Sequence, residues 1–93
     1  PGYMAPEQAR GDTAAIGPAA DIHALGAILY RMLTARAPFL GATTYHTIQQ
    51  VLTEDPVPPR RLVPHIPRDL EVITLKCLEK DPRKRYPSAA ALG

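Results

Sequence analysis

Between Pro18 and Ala35 the stretch PAADIHALGAILYRMLTA carries apolar side chains on almost every face of a helical repeat. Ile22, Leu25, Ile28, Leu29, Met32 and Leu33 form a broad stripe, and the small Ala24, Gly26 and Ala27 fill much of the remainder. Pro18 suits a first turn, and Asp21 sets negative charge near the positive end of the dipole. The pattern predicts a helix buried all round, the pillar of the core. Gly26 costs about 1 kcal/mol against alanine in mid-helix, so its presence predicts a close approach by neighbouring backbone.

A weaker amphipathic segment follows the loop through Ala37-Pro38-Phe39. Thr43 or Thr44 is its predicted cap, Tyr45, Ile48, Val51 and Leu52 line one face, and the segment is expected to lie on the surface. From Thr53 to Pro67, Pro56, Pro58, Pro59, Pro64 and Pro67 remove amide donors and fix the backbone, which predicts an extended, stiff connector with neither helix nor central strand. Helical spacing resumes over Arg68 to Glu79, with Leu70, Ile73, Cys77 and Leu78 on the inner side, until Asp81-Pro82 ends it. Ser88 is positioned to cap a final, short helix. No alternating strand pattern and no internal repeat occur, so the expected class is all-α, helices around one buried central helix.

Composition narrows the range of roles. A chain of 93 residues makes one small domain or a piece of a larger one, and both ends are expected to be cut. The single cysteine, Cys77, closes no internal disulfide, builds no zinc site and is expected to be a small core residue. So small a core leaves stability marginal and predicts reliance on something else. Net charge is +2 with 22% charged and 45% hydrophobic residues, an ordinary globular balance. No apolar run reaches the length of a membrane span and no signal-like segment opens the chain, so a cytoplasmic location is the expectation. Arg60-Arg61 and Arg83-Lys84-Arg85 permit nucleic-acid contact, but the five aromatics do not interleave with them as a stacking platform requires; no nucleic-acid partner is expected. His23, His46 and His65 lack metal-ligand spacing and are read as packing or surface residues, so no metal site is expected. Arg10-Gly11-Asp12 spells an adhesion tripeptide and is read as a chance turn.

Three local patterns stand in a telling order: PGYMAPEQ at 1–8, DIHALG at 21–26 and CLEKDPRKRY at 77–86. Together they resemble the C-terminal lobe of a protein kinase over the whole chain, 1–93. Ala5-Pro6-Glu7 matches the A-P-E signature that closes the activation segment. Asp21 and Gly26 match the Asp and Gly of the family's central helix, and Asp81 to Arg85 its D-P-x-x-R stretch. The resemblance implies that Glu7 and Arg85 form a buried ion pair, a guanidinium meeting a carboxylate through parallel hydrogen bonds. Without it, the plainer reading is that Glu7 caps a short turn and Arg85 is solvated beside Arg83 and Lys84.

The resemblance further implies that Gly2, Tyr3, Met4 and Ala5 belong to the loop that contacts the peptide substrate, and that Asp21 with Gly26 anchors the catalytic loop. Tyr3-Met4 looks like the serine/threonine version, and Gln8 and Ala19-Ala20 are most like bacterial members. Departures from the pattern are His23 in place of Tyr or Trp, Ala24 in place of Ser, and Arg31 where Glu is frequent. Ala35 replaces a common Gly past the helix end, which predicts a frayed or altered turn.

Phosphoryl transfer needs a glycine-rich cover, a strand lysine, a catalytic Asp and magnesium-holding Asp and Asn side chains. The 93 residues contain no G-x-G-x-x-G, no Asp after His-Arg and no Asp before Phe-Gly. The expectation is therefore a portion of a bacterial-type serine/threonine kinase that scaffolds the activation segment but is inactive alone. ATP and magnesium are implied for the complete kinase, and the N-terminal part of the domain and a protein Ser/Thr substrate are the implied partners. The alternative is a free-standing, non-catalytic helical interaction module, a pseudokinase remnant that binds a partner through Thr43 to Leu52.

Overall fold

The computed structural model describes residues 4–11 and 17–87. Its elements are α1 (Pro6–Ala9), α2 (Pro18–Thr34), α3 (Thr44–Thr53), α4 (Pro59–Leu62) and α5 (Arg68–Cys77), followed by a 3-10 turn over Pro82–Lys84. All elements among the described residues are helical. The cap expected at Ser88 lies outside them.

α2 is the hub. Pro18 stands in its first turn, where a missing amide proton costs nothing. α5 packs across it, and α4 and the 3-10 turn also rest on it. Gly26 lies at the crossing: a Cβ built there would sit 2.5 Å from the Cβ of Cys77, so the close approach read from the sequence is the α2–α5 contact. Ala27, Tyr30 and Leu78 form the buried centre, with Leu62 packed against it. Burial of α2 is nevertheless one-sided. Ile22, His23, Gly26, Ala27, Tyr30 and Thr34 are buried, whereas Leu25, Ile28 and Met32 are 41%, 53% and 76% exposed. The expectation of burial all round is corrected: within this chain α5 and α4 cover one face, and nothing described covers the other.

The end of α2 also departs from expectation. Ala35 takes the left-handed conformation itself, with φ 63° and ψ 18°, and its N–H donates to the Arg31 carbonyl at 2.7 Å. The turn is neither frayed nor altered, because Thr34 secures both sides of it. The Thr34 hydroxyl donates to the Tyr30 carbonyl at 2.8 Å and accepts from the Arg36 N–H at 3.2 Å. A Cβ in that region costs about 1–2 kcal/mol, partly offset by the lower unfolded-state entropy of alanine. Ala35→Gly is accordingly expected to raise stability by about 0.5–1 kcal/mol, read as a higher urea midpoint at unchanged slope. A lowered midpoint would mean that this turn is not left-handed.

Thr43 is the cap of α3: its hydroxyl accepts from the His46 N–H at 3.1 Å. Of the apolar face, Val51 is buried while Tyr45 is 67% exposed, and Thr47 is buried with Val51. Thr47 is admitted because its hydroxyl is fully used, donating to the Thr43 carbonyl at 3.1 Å and accepting from the Gly41 N–H at 2.8 Å. The proline connector holds one helical turn, α4, that its composition argued against. Pro59 occupies the first position of that turn, where proline is compatible with helix, and Glu71 accepts the Arg60 N–H at 2.8 Å. α5 ends at Cys77, two residues short of the expected Glu79, while Asp81-Pro82 opens the 3-10 turn.

Candidate functional site

The first and last described segments meet at one buried ion pair. Arg85 Nη1 donates to Glu7 Oε2 at 2.8 Å and Nη2 to Glu7 Oε1 at 2.9 Å, a parallel two-bond contact across 78 positions of sequence. Both side chains are almost wholly inaccessible to water. The remaining guanidinium protons are also used: Nε donates to the Glu79 carbonyl at 2.7 Å, Nη1 to Ala19 at 2.9 Å and Nη2 to Lys80 at 3.4 Å. All five arginine donors therefore have acceptors, the condition under which a buried guanidinium is tolerated. Glu7 is oriented by α1, whose entry is closed by Gln8: its side-chain oxygen accepts the Ala5 N–H at 2.8 Å. The short turn is thus capped by Gln8, which leaves Glu7 for Arg85.

Burial pushes the Glu7 carboxyl upward, but the Arg85 hydrogen bonds and charge, with a smaller pull from His23, outweigh it and hold the group below its ordinary value. Burial raises the Cys77 thiol, consistent with a core side chain and not with a thiolate nucleophile.

The other residues singled out from the sequence fall in separate places. Gly2 and Tyr3 lie outside the described residues. Ala5 is buried at the entry to α1 and Met4 is half-buried beside it. Asp21 is exposed in the first turn of α2, and Gly26 is buried against α5 on the same helix. The structure thus joins Ala5 and Glu7 to Arg85 through α1, and places Asp21 and Gly26 on the helix whose first turn offers the Ala19 carbonyl to Arg85.

Lys80 lies inside the 77–86 pattern, but the sequence assigns it no role there. Its ammonium donates to the Val51 carbonyl at 2.8 Å and lies 4.8 Å from the centre of the Phe39 ring. Burial lowers its pKa against the opposing charges of Asp55, Glu54 and Glu79. A sequence signal was available only in hindsight: a lysine shortly past the end of an amphipathic helix can reach the carbonyl end of a neighbour.

Among the described residues no three His, Cys, Asp or Glu side chains converge. No helix among them is long and apolar enough to cross a membrane.

Residues 1–93 match the family described as "Protein kinase domain". The chain belongs to this family. Its kinase relatives include the serine/threonine-protein kinase PknB of Mycobacterium leprae, 40% identical over 97% of this chain. The tyrosine-protein kinase MasK of Myxococcus xanthus is 44% identical over 98% of it. The chain spans 14% of the length of each of these relatives. Among solved structures it is similar to the twitchin kinase region of C. elegans, with a TM-score of 0.86 and 27% identity over 98% of this chain and 16% of that one. The all-α reading and its kinase assignment therefore stand.

Proposed function

We propose that this chain is the part of a serine/threonine kinase that carries the substrate-docking loop and the scaffold beneath it. The observation that carries this reading is the Glu7–Arg85 pair, which fixes the turn after Met4-Ala5 to the central helix and to the segment behind α5. A docking loop needs such rigidity, because a peptide bound on a mobile loop loses affinity to ordering. The open stripe of Leu25, Ile28 and Met32 beside exposed Asp21 fits the second role, an anchorage for the N-terminal part of the domain and its catalytic loop. Those residues, outside this chain, would hold ATP and magnesium. A cytoplasmic site of action and a protein Ser/Thr acceptor belong to the same proposal.

The 93 residues incubated with magnesium and labelled ATP are expected to incorporate no phosphate, since none of the transfer groups is among them. The full-length protein is expected to place label on Ser and Thr. Incorporation by the 93 residues would overturn the scaffold reading. The tyrosine-kinase name of one relative at 44% identity favours a second acceptor, so phosphoamino-acid analysis decides: label on Tyr alone would replace Ser/Thr in this proposal.

A further inference from the structure

We infer that Lys80 is a positioning residue that holds α3 as a brace behind the substrate-docking loop. The inference rests, in its second half, on the docking reading above. Its first half rests on contacts alone. Among the described elements, α3 has its substantial packing on α1, the four-residue turn that continues the docking loop. α2, α4 and α5 form the body without it. The C-terminal end of α3 is tied back to that body by Lys80, whose ammonium takes the Val51 carbonyl and covers the Phe39 ring. The carbonyls of a last helical turn lack partners within the helix and carry partial negative charge, so a cation there is doubly favoured.

The backbone of Lys80 closes the circuit. Its carbonyl accepts from Arg85 Nη2, and the same guanidinium holds Glu7 of α1. Glu7, Arg85, Lys80 and α3 therefore make a closed circuit, in which α1 is held both by Arg85 and by α3. Cutting the Lys80 link leaves α1 with its ion pair but frees α3 to rock. The second tie across this region, the Tyr30 hydroxyl donating to the Val57 carbonyl at 2.6 Å, lies in the connector beyond α3 and does not reach its helical carbonyls. A cation is needed because the site combines a carbonyl with an aromatic face; Lys80→Arg keeps both interactions and Lys80→Met keeps neither.

The test uses the full-length protein with Lys80→Met and Lys80→Arg, read by hydrogen exchange and by steady-state kinetics with casein as acceptor, or histone where casein is a poor one. In Lys80→Met, amides of 44–53 are expected to exchange about tenfold faster, the population change that loss of one charge-assisted hydrogen bond produces, with α2 and α5 unchanged. The acceptor KM is expected to rise several-fold while kcat and the KM for ATP stay within about twofold, and Lys80→Arg to restore both readouts. Unchanged exchange in α3, or acceleration spread equally over α2 and α5, overturns the brace. Faster exchange in α3 with an unchanged acceptor KM overturns its link to docking and leaves the tie standing. Failure of the wild-type protein to phosphorylate either acceptor counts against the docking reading, and the exchange result still decides the tie.

Discussion

Glu7→Gln and Arg85→Met are each expected to destabilise the complete kinase domain by about 3–5 kcal/mol, because each leaves a buried polar partner without compensation. The two losses differ in kind. Arg85→Met strips a charge from beside Glu7 and also abandons the carbonyls of Ala19, Glu79 and Lys80, so it falls at the upper end. Glu7→Gln leaves one side-chain oxygen facing the guanidinium and falls at the lower end. The double variant is expected to cost clearly less than the sum, with a coupling of about 1–3 kcal/mol, since each change removes the same contact. Strict additivity in urea denaturation would mean that the two side chains do not meet.

Acid should act on the same pair. The Glu7 carboxyl is held below its ordinary value of 4.5, so its folded pKa is depressed relative to the unfolded chain. A depressed carboxylate contributes stability that is fully present above the unfolded value and is lost as pH falls through the folded one. Wild-type stability is therefore expected to drop below about pH 4.5, and the drop to be shallower in Glu7→Gln, which has no proton to take up at that position. Parallel pH profiles for the two proteins would remove the ion pair as a source of acid sensitivity.

What the sequence made legible follows from which interactions leave a pattern. α2 was readable because a long apolar repeat, a first-turn proline and an out-of-place glycine are all local marks of a helix pressed against a neighbour. Its open face was not readable, because Leu25, Ile28 and Met32 look the same in sequence whether covered or bare; burial depends on what else packs there. The left-handed Ala35 was misjudged for a related reason. Residue preference counts the cost of a Cβ, but the Thr34 hydroxyl bonds that hold the turn come from a neighbour whose side chain has several other uses. In α3, hydropathy gave no sign that Thr47 is buried, because a threonine is admitted to a core when both hydrogen-bonding directions of its hydroxyl are filled. The pairing of Glu7 with Arg85 spans the chain and came only through family resemblance. Lys80 was missed altogether, since neither of its partners, a backbone carbonyl and an aromatic ring, is marked by a motif.

Gly26→Ala is expected to destabilise the domain by about 1–3 kcal/mol, although helix propensity alone predicts a gain of about 1 kcal/mol. The sign is set by what the new methyl group meets. It would lie 2.5 Å from the Cys77 Cβ and 3.4 Å from both the Cys77 carbonyl carbon and the Leu78 Cδ2. A Cβ is fixed to its backbone and cannot swing aside like the end of a long side chain, so α5 as a whole must retreat from α2. That retreat opens the Ala27, Tyr30 and Leu78 centre, and the loss of packing there adds to the strain. A second substitution separates this account from a general intolerance of change at the crossing. Cys77→Ala retains the offending carbon and is expected to give Gly26→Ala no relief. Cys77→Gly removes it, at a cost of about 1 kcal/mol for glycine within a helix, and the double variant should be more stable than the sum of the single losses by about 1–2 kcal/mol. Were Gly26→Ala to raise the urea midpoint, the two helices would have to stand further apart than this crossing places them. The route by which α5 presents Leu78 to the centre and Lys80 to α3 would then have to be different.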